Sequence, residues 1–146
     1  MKKVLLASTV AAALVFSAAA VASTSPAAYK AKVNGICAKG VAQLNAVPAP
    51  QTQADLYPYF KEVSAMSDAL LVKVKAVTPP SSLKAKVSVA VSKQGAFQSA
   101  LHALVAKLEN ASNPKNTVTA AEPHLTSLND AANKAWIAAG LVKCGS

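Results

Sequence analysis

The sequence predicts an all-α protein: an up-down-up-down antiparallel four-helix bundle, stapled by one disulfide, that follows a cleaved signal peptide. Three observations lead to this fold class. Apolar residues recur every three or four positions in four successive segments, as on one face of a helix. Strand signals are nearly absent, because no Asn-Gly or Asp-Gly turn sits between alternating runs. Two cysteines lie far apart in a chain that opens with an export signal.

The first 22 residues have the pattern of a secretory signal peptide. Two lysines precede a long apolar stretch that ends in the small-x-small sequence at 20–22. We therefore expect cleavage after Ala22, which leaves 23–146 as a single helical-bundle domain. The alternative is a retained membrane anchor, for which the alanine-rich stretch is only just long enough. No cysteine follows the apolar stretch, so we expect no lipid anchor.

From residue 23 onward the chain is basic but contains no arginine: 13 lysines stand against six acidic residues. Bidentate recognition of phosphate and guanine is arginine chemistry, so this composition speaks against nucleic acid as a partner. The lysines are scattered along the chain, which is typical of a solvated surface. The alternative is attraction to an anionic cell-envelope polymer. No second long apolar run appears, so we expect no stable membrane insertion after cleavage.

Helices one and two are predicted from their capping residues. Helix one begins at Ser25, a capping serine followed by proline at the first helical position, and runs to about Asn45. Gly40 falls on its apolar stripe, where a glycine lets another backbone come close. Helix two begins near Asp55, which leaves Pro58 in the first turn, and ends at a Pro-Pro pair.

Helix three has the most regular apolar pattern, and Ser81 or Ser82 is expected to cap it. Its seam alternates spacings of four and three residues, which is typical of helical bundles. The seam consists of Leu83, Val87, Ala90, Gln94, Phe97, Leu101, Leu104 and Leu108.

Helix four is expected to begin with a capping box of Thr119 and Glu122, with Pro123 in the first turn. Its end is predicted at Gly140, followed by an apolar residue, as in a Schellman motif. Because the loops between the four segments are short, neighbouring helices should run antiparallel.

An exported chain with two cysteines has one possible intramolecular disulfide, between Cys37 and Cys144. Closing a loop of this size stabilises a protein by about 4–5 kcal/mol in the chain-entropy model. The alternatives are a redox-active pair, an intermolecular bridge or a metal site, although the chain has no C-x-x-C motif. Cys37 lies about halfway along helix one, so the tail must double back along the bundle or helix four must be offset.

No catalytic, metal-binding or other cofactor motif stands out, and we expect a protein that is not an enzyme. His102 should lie on the outer flank of helix three and Met66 beside the seam of helix two, where they do not favour a haem site. His124, expected in the first turns of helix four, has no Glu or His at helical spacing to complete a metal pair. The Ser-x-x-Lys pattern at 81–84 lacks the companion motifs of β-lactamases.

The candidate ligand pocket lies near Gln94, Phe97 and Trp136. Gln94 is the polar residue in the seam of helix three, so it needs a partner such as Ser67, or it faces a cavity. The inner face of helix four is mostly alanine with Trp136 beside it, which indicates close helix packing or a narrow apolar cavity.

Several short motifs resemble a family of small exported proteins of high-GC Gram-positive bacteria that has no characterised activity. These motifs are Tyr-x6-Ile-Cys ending at Cys37, the Pro-x-Pro that follows helix one, the mid-chain Pro-Pro turn and the closing Gly-Leu-x-x-Cys-Gly. The resemblance implies a helical bundle with a Cys37–Cys144 bridge, and it supplies no functional residues.

Together these features predict a secreted, extracytoplasmic protein that acts as a binding or interaction module at the cell envelope. Its partner would be an anionic envelope polymer or another envelope protein. The alternative function is a carrier of a small apolar ligand, including non-covalent haem, in the bundle interior.

Overall fold

The computed structural model describes residues 25–145, which form four α-helices and no strand. Helix α1 spans Pro26–Asn45, α2 spans Leu56–Lys75, α3 spans Ser81–Glu109 and α4 spans Pro114–Ala138, with a 3-10 turn at Gln53–Asp55 before α2. The all-helical fold class predicted from the sequence is confirmed. The predicted signal peptide, residues 1–22, lies outside the described residues.

The start of α1 follows the predicted serine cap. Ser25 Oγ accepts a hydrogen bond from the Ala28 amide at 3.2 Å, and a proline is the first helical residue. Asp55 stands at the N-cap position of α2 as predicted, but its side chain makes no capping hydrogen bond to that helix. Before α2, the Asp55 carboxylate accepts from the Thr52 amide (2.8 Å), the Thr52 hydroxyl (2.9 Å) and the Gln51 amide (3.1 Å). These donors, the Thr52 hydroxyl first, hold the pKa of Asp55 below its usual value.

Helix α3 begins at Ser81, but Pro80 rather than a serine occupies the N-cap position. The predicted serine cap is therefore wrong, because the Pro80 carbonyl already accepts the first two amide hydrogen bonds of the helix. The predicted seam is buried except at Gln94 and Phe97, which are half-buried. Gln98, which the seam did not include, is buried.

Helix α4 begins at Pro114 and not at the predicted Thr119. Asn113 caps it, since its Oδ1 accepts a hydrogen bond from the amide of residue 116 at 3.1 Å. An asparagine cap with proline at the first position is as strong a start signal as a capping box. Pro123 consequently lies inside the helix, where it removes a backbone donor, and His124 lies beyond the first turns where it was expected.

Consecutive helices pack side by side, and α3 with α4 forms the most extensive pair. The bundle therefore has two ends. The end that contains the starts of α1 and α3 and the final turns of α2 and α4 is called the disulfide end here. The opposite end, which contains the other four helix termini, is called the distal end.

The two ends have different cores. All four helices and the tail contribute to the core of the disulfide end, whose buried residues are Tyr29, Val33, Cys37, Val74, Leu83, Val87, Ala90, Trp136, Ala139 and Leu141. The distal core consists of Leu101, Leu104 and Leu108, packed against side chains of α2 and α4, and no residue of α1 joins it. Helix α1 has 20 residues and α3 has 29. At 1.5 Å per residue they are about 30 Å and 44 Å long, so α1 cannot span the whole length of α3.

Tyr29 is a buried polar residue of the disulfide end. Its side chain is fully buried, and burial raises the pKa of its phenol. Its hydroxyl has no hydrogen-bond partner among residues 25–145. Packing of the ring, and not a hydrogen bond, therefore holds Tyr29 in place.

Candidate ligand cavity

A cavity of about 360 Å³ lies in the middle of the bundle, between the two cores. All four helices and the C-terminal tail line it. Its apolar walls include Val41, Leu44, Val63, Leu70, Phe97 and Leu101. A cavity of this volume lies within the range of natural small-molecule sites.

The cavity exists because α1 and α4 hardly touch each other directly. Instead, the tail after α4 lies between them and places Cys144 in the cavity wall, bonded to Cys37. On α1, Gly40 makes room for a side chain and not, as predicted, for another backbone. A Cβ at this position would lie 2.6 Å from Leu70 Cδ1, so the glycine allows Leu70 to sit against α1.

The tail doubles back along α4, one of the two paths expected from the position of Cys37. Gly140, with a φ of 77°, reverses the chain. The Leu141 amide then donates to the Trp136 carbonyl (2.9 Å) and the Gly140 amide donates to the Ile137 carbonyl (2.8 Å). These two bonds form the predicted Schellman motif, which is confirmed. Leu141 is fully buried beneath the turn.

The predicted disulfide between Cys37 and Cys144 is also confirmed. Asn34, one turn before Cys37, holds the tail beside the bridge. Its side-chain nitrogen donates to the Gly140 carbonyl at 3.4 Å, and its oxygen accepts from the Lys143 amide at 3.0 Å. The bridge and Asn34 together fix the tail as one wall of the cavity.

The three residues of the predicted pocket, Gln94, Phe97 and Trp136, all line this cavity. Trp136 Nε1 donates a hydrogen bond to Gln94 Oε1 at 3.1 Å, which links α4 to α3. The predicted partner of Gln94 was Ser67, and this is wrong. Ser67 accepts from Gln98 Nε2 at 3.4 Å instead, because Gln98 faces α2 one turn further along α3.

Asn45 of α1 and Tyr59 of α2 also line the cavity and were missed from the sequence, as were two asparagines of α4, Asn129 and Asn133. With Trp136 they form a stripe at spacings of four and three, which places them on one face of the helix. This spacing could be recognised in the sequence, but the prediction followed the adjacent alanine seam and so favoured the neighbouring face of α4. No hydrogen bond within residues 25–145 engages either asparagine side chain.

The cavity wall contains no Asp, Glu, Lys or His side chain. His102 lies outside, with Nε2 2.8 Å from the Asp68 carboxylate on an exposed flank, and His124 is exposed. Met66 borders a second, smaller cavity of about 190 Å³ between α1 and α2. The main cavity therefore lacks a His or Met that could ligate haem iron. Within residues 25–145, no group of three or more His, Cys, Asp or Glu side chains is arranged to hold a metal ion.

Comparison with known proteins gives no relative for this chain: no family profile, curated protein or solved structure matches it. None of the helices within residues 25–145 has the length and apolar character needed to cross a membrane.

Proposed function

We propose that this protein is an extracytoplasmic, non-enzymatic binding protein that carries a small, uncharged and mostly apolar molecule in the central cavity. The observation that supports the proposal is the cavity itself, which is partly open to solvent and is lined by every helix and by the stapled tail. The three residues singled out from the sequence, Gln94, Phe97 and Trp136, form part of its wall.

The size of the cavity limits the ligand. A volume of 360 Å³ corresponds to roughly a dozen water molecules, at about 30 Å³ each. The ligand therefore has on the order of 10 to 20 non-hydrogen atoms. At about 0.3–0.5 kcal/mol per atom, the binding free energy is about 3 to 10 kcal/mol, which corresponds to a Kd between roughly 6 mM and 50 nM.

The chemistry of the wall limits the charge of the ligand. An ionised group would be desolvated here without an opposite charge to pair with, which is costly. An uncharged polar group could instead bond to the Asn129 and Asn133 carboxamides and to the Gln94 amide nitrogen, since the Gln94 oxygen already accepts from Trp136. We therefore propose a ligand with an apolar body and one uncharged polar end. Haem does not fit this cavity, because haem is larger than a ligand on the order of 10 to 20 non-hydrogen atoms, and neither His nor Met faces the cavity.

The same wall supports binding rather than catalysis, because it lacks the ionisable side chains that act as general acid or base near neutral pH. Export is proposed from two features together: the leader pattern of residues 1–22 and the disulfide, which persists in oxidising compartments. Membership in the exported family that the motifs resemble stays a prediction.

Fluorescence tests the carrier function, because Trp136 is the sole tryptophan of the chain and lies in the cavity wall. The probe is N-phenyl-1-naphthylamine, an uncharged apolar dye that tryptophan emission can excite by energy transfer. We expect saturable dye emission, quenching of Trp136 and a Kd in the micromolar range.

A matched pair of variants locates the bound dye. Val41→Phe places a larger side chain in the cavity wall and should weaken binding by about tenfold or more. Val105→Phe makes the same change on α3 at a half-buried position outside the cavity and should leave the affinity unchanged. Absence of saturable binding, or equal loss in both variants, would show that the cavity is not a ligand site.

A further inference from the structure

Folding brings lysines that are far apart in the sequence together at the disulfide end. The core of this end is built from four segments, residues 26–37, 70–77, 81–91 and 132–145. These segments contain no acidic residue. They contain eight lysines: Lys30, Lys32, Lys73, Lys75, Lys84, Lys86, Lys134 and Lys143.

The rest of the bundle is close to neutral. Residues 38–69 and 92–131 contain five lysines and all six acidic residues of the chain. Almost the whole positive charge of residues 25–145 therefore lies at one end. The lysines are scattered along the sequence, as predicted, but the fold brings most of them together at one end. The starts of α1 and α3 lie beside the ends of α2 and α4. Each of these four segments carries two lysines when the tail is counted with α4.

The disulfide end also exposes aliphatic side chains. The large hydrophobic residues with the most exposed side chains are Val72 (67%), Val89 (53%), Ile137 (51%) and Val142 (50%), and all four belong to this end. Three of them lie three residues from a lysine on the same helix, so lysine and aliphatic group share a helix face. The fourth, Val142, is next to Lys143 in the tail.

We propose that the disulfide end is a peripheral docking surface for an anionic lipid membrane. Lysine ammonium groups attract phosphate headgroups, and the exposed aliphatic side chains insert at the headgroup boundary. A soluble polyanion would use the lysines alone and would leave the aliphatic groups without a role. The absence of arginine from residue 23 onward disfavours nucleic acid.

The path of the chain supports the same orientation. Residues 1–24 join the bundle at the start of α1, which belongs to the disulfide end. The apolar stretch within them precedes α1 by a few residues. Until the leader is cleaved, a membrane that holds this stretch therefore lies next to the lysine-rich end of the folded bundle.

The test uses the chain from Ser23 to Ser146, since the cores and the bridge lie entirely within residues 25–145. It is mixed with vesicles of equal parts phosphatidylglycerol and phosphatidylcholine, or of phosphatidylcholine alone, and the bound fraction is measured by sedimentation. We expect binding to the anionic vesicles only, and binding should weaken as salt screens the charges.

A charge-matched pair of variants locates the surface. Lys73→Gln, Lys75→Gln, Lys84→Gln and Lys86→Gln together neutralise half of the lysines of the disulfide end. Because each lysine near an anionic surface strengthens binding about fivefold, this variant should bind roughly 100- to 1,000-fold more weakly. The matched control, Lys39→Gln, Lys61→Gln, Lys107→Gln and Lys115→Gln, has the same net charge and should bind at most about fivefold more weakly than the parent.

A third variant separates lipid from soluble polyanion. Val72→Ser with Val89→Ser removes two exposed aliphatic groups and should weaken vesicle binding several-fold while leaving binding to soluble polyphosphate unchanged. The proposal is overturned if anionic vesicles do not bind, if both lysine variants lose equally, or if the aliphatic variant binds vesicles as the parent does. The last result, with tight polyphosphate binding, would identify a polymer as the partner.

Discussion

The two ends of the bundle are built differently. The disulfide end has a core of four helices, a covalent bridge, a fully buried tyrosine and eight lysines. The core of the distal end is formed by three helices around three leucines, and this end carries most of the acidic residues. Like charges that are concentrated at one end repel each other and destabilise the compact state. The end with this repulsion is thus also the end that is covalently closed. The bridge therefore stabilises the bundle where non-covalent packing is opposed by charge.

Loss of the bridge is the largest expected effect. The variant Cys37→Ser with Cys144→Ser should lower the free energy of unfolding by about 4–5 kcal/mol, measured by urea denaturation. Amide hydrogen exchange should accelerate most in α1 and least around Leu104 and Leu108, because α1 has no part in the distal core. Uniform acceleration in both regions would contradict the division into two ends.

Removal of the internal proline of α4 has the next largest effect, with the opposite sign. Pro123→Ala restores a backbone donor and should raise the free energy of unfolding by about 1–3 kcal/mol. The control is Pro26→Ala at the first position of α1, where the missing amide has no intrahelical partner to lose and stability should change by less than about 0.5 kcal/mol. Equal effects of the two changes in thermal unfolding would mean that α4 does not continue through Pro123.

Two glycines of α1 give the smallest effects and probe the position of Leu70. Gly35 is exposed, and a Cβ at this residue would have no neighbouring atom within 4 Å, so Gly35→Ala should stabilise by about 1 kcal/mol. Gly40→Ala makes the same change in the same helix, but its Cβ would lie 2.6 Å from Leu70 Cδ1, so Leu70 has to shift. It should therefore stabilise less or destabilise. Equal gains in urea denaturation would show that Leu70 moves freely.

Local signals were predicted well where a single residue type determines the structure. The Ser25 cap, the Gly140 reversal and the disulfide were each readable because one side chain or one glycine decides the geometry. The start of α4 was predicted wrongly, because two valid start signals lie within a few residues of each other. Only the packed fold selects Asn113 over Thr119. Hydrogen-bond partners across helices are equally hard to predict from sequence. Ser67 was the predicted partner of Gln94, but Ser67 bonds to Gln98 and Gln94 bonds to Trp136.

The cavity and the lysine-rich end illustrate a second limit. Gln94, Phe97 and Trp136 were placed in one pocket because each lies on or beside an apolar seam. The volume of that pocket depends on the gap between α1 and α4, which no local pattern encodes. The lysine cluster depends on which helix termini meet, so it appears only once the antiparallel order of the helices is applied to the whole chain.

The separation of 107 residues between the two cysteines has a consequence for biogenesis. In the export proposed above, Cys37 remains a lone thiol until Cys144 follows, so it is open to pairing with other molecules in an oxidising compartment. The covalent link therefore closes only after nearly the whole chain has been made, and the yield of correctly bridged protein should depend on how quickly the early helices bury that first thiol.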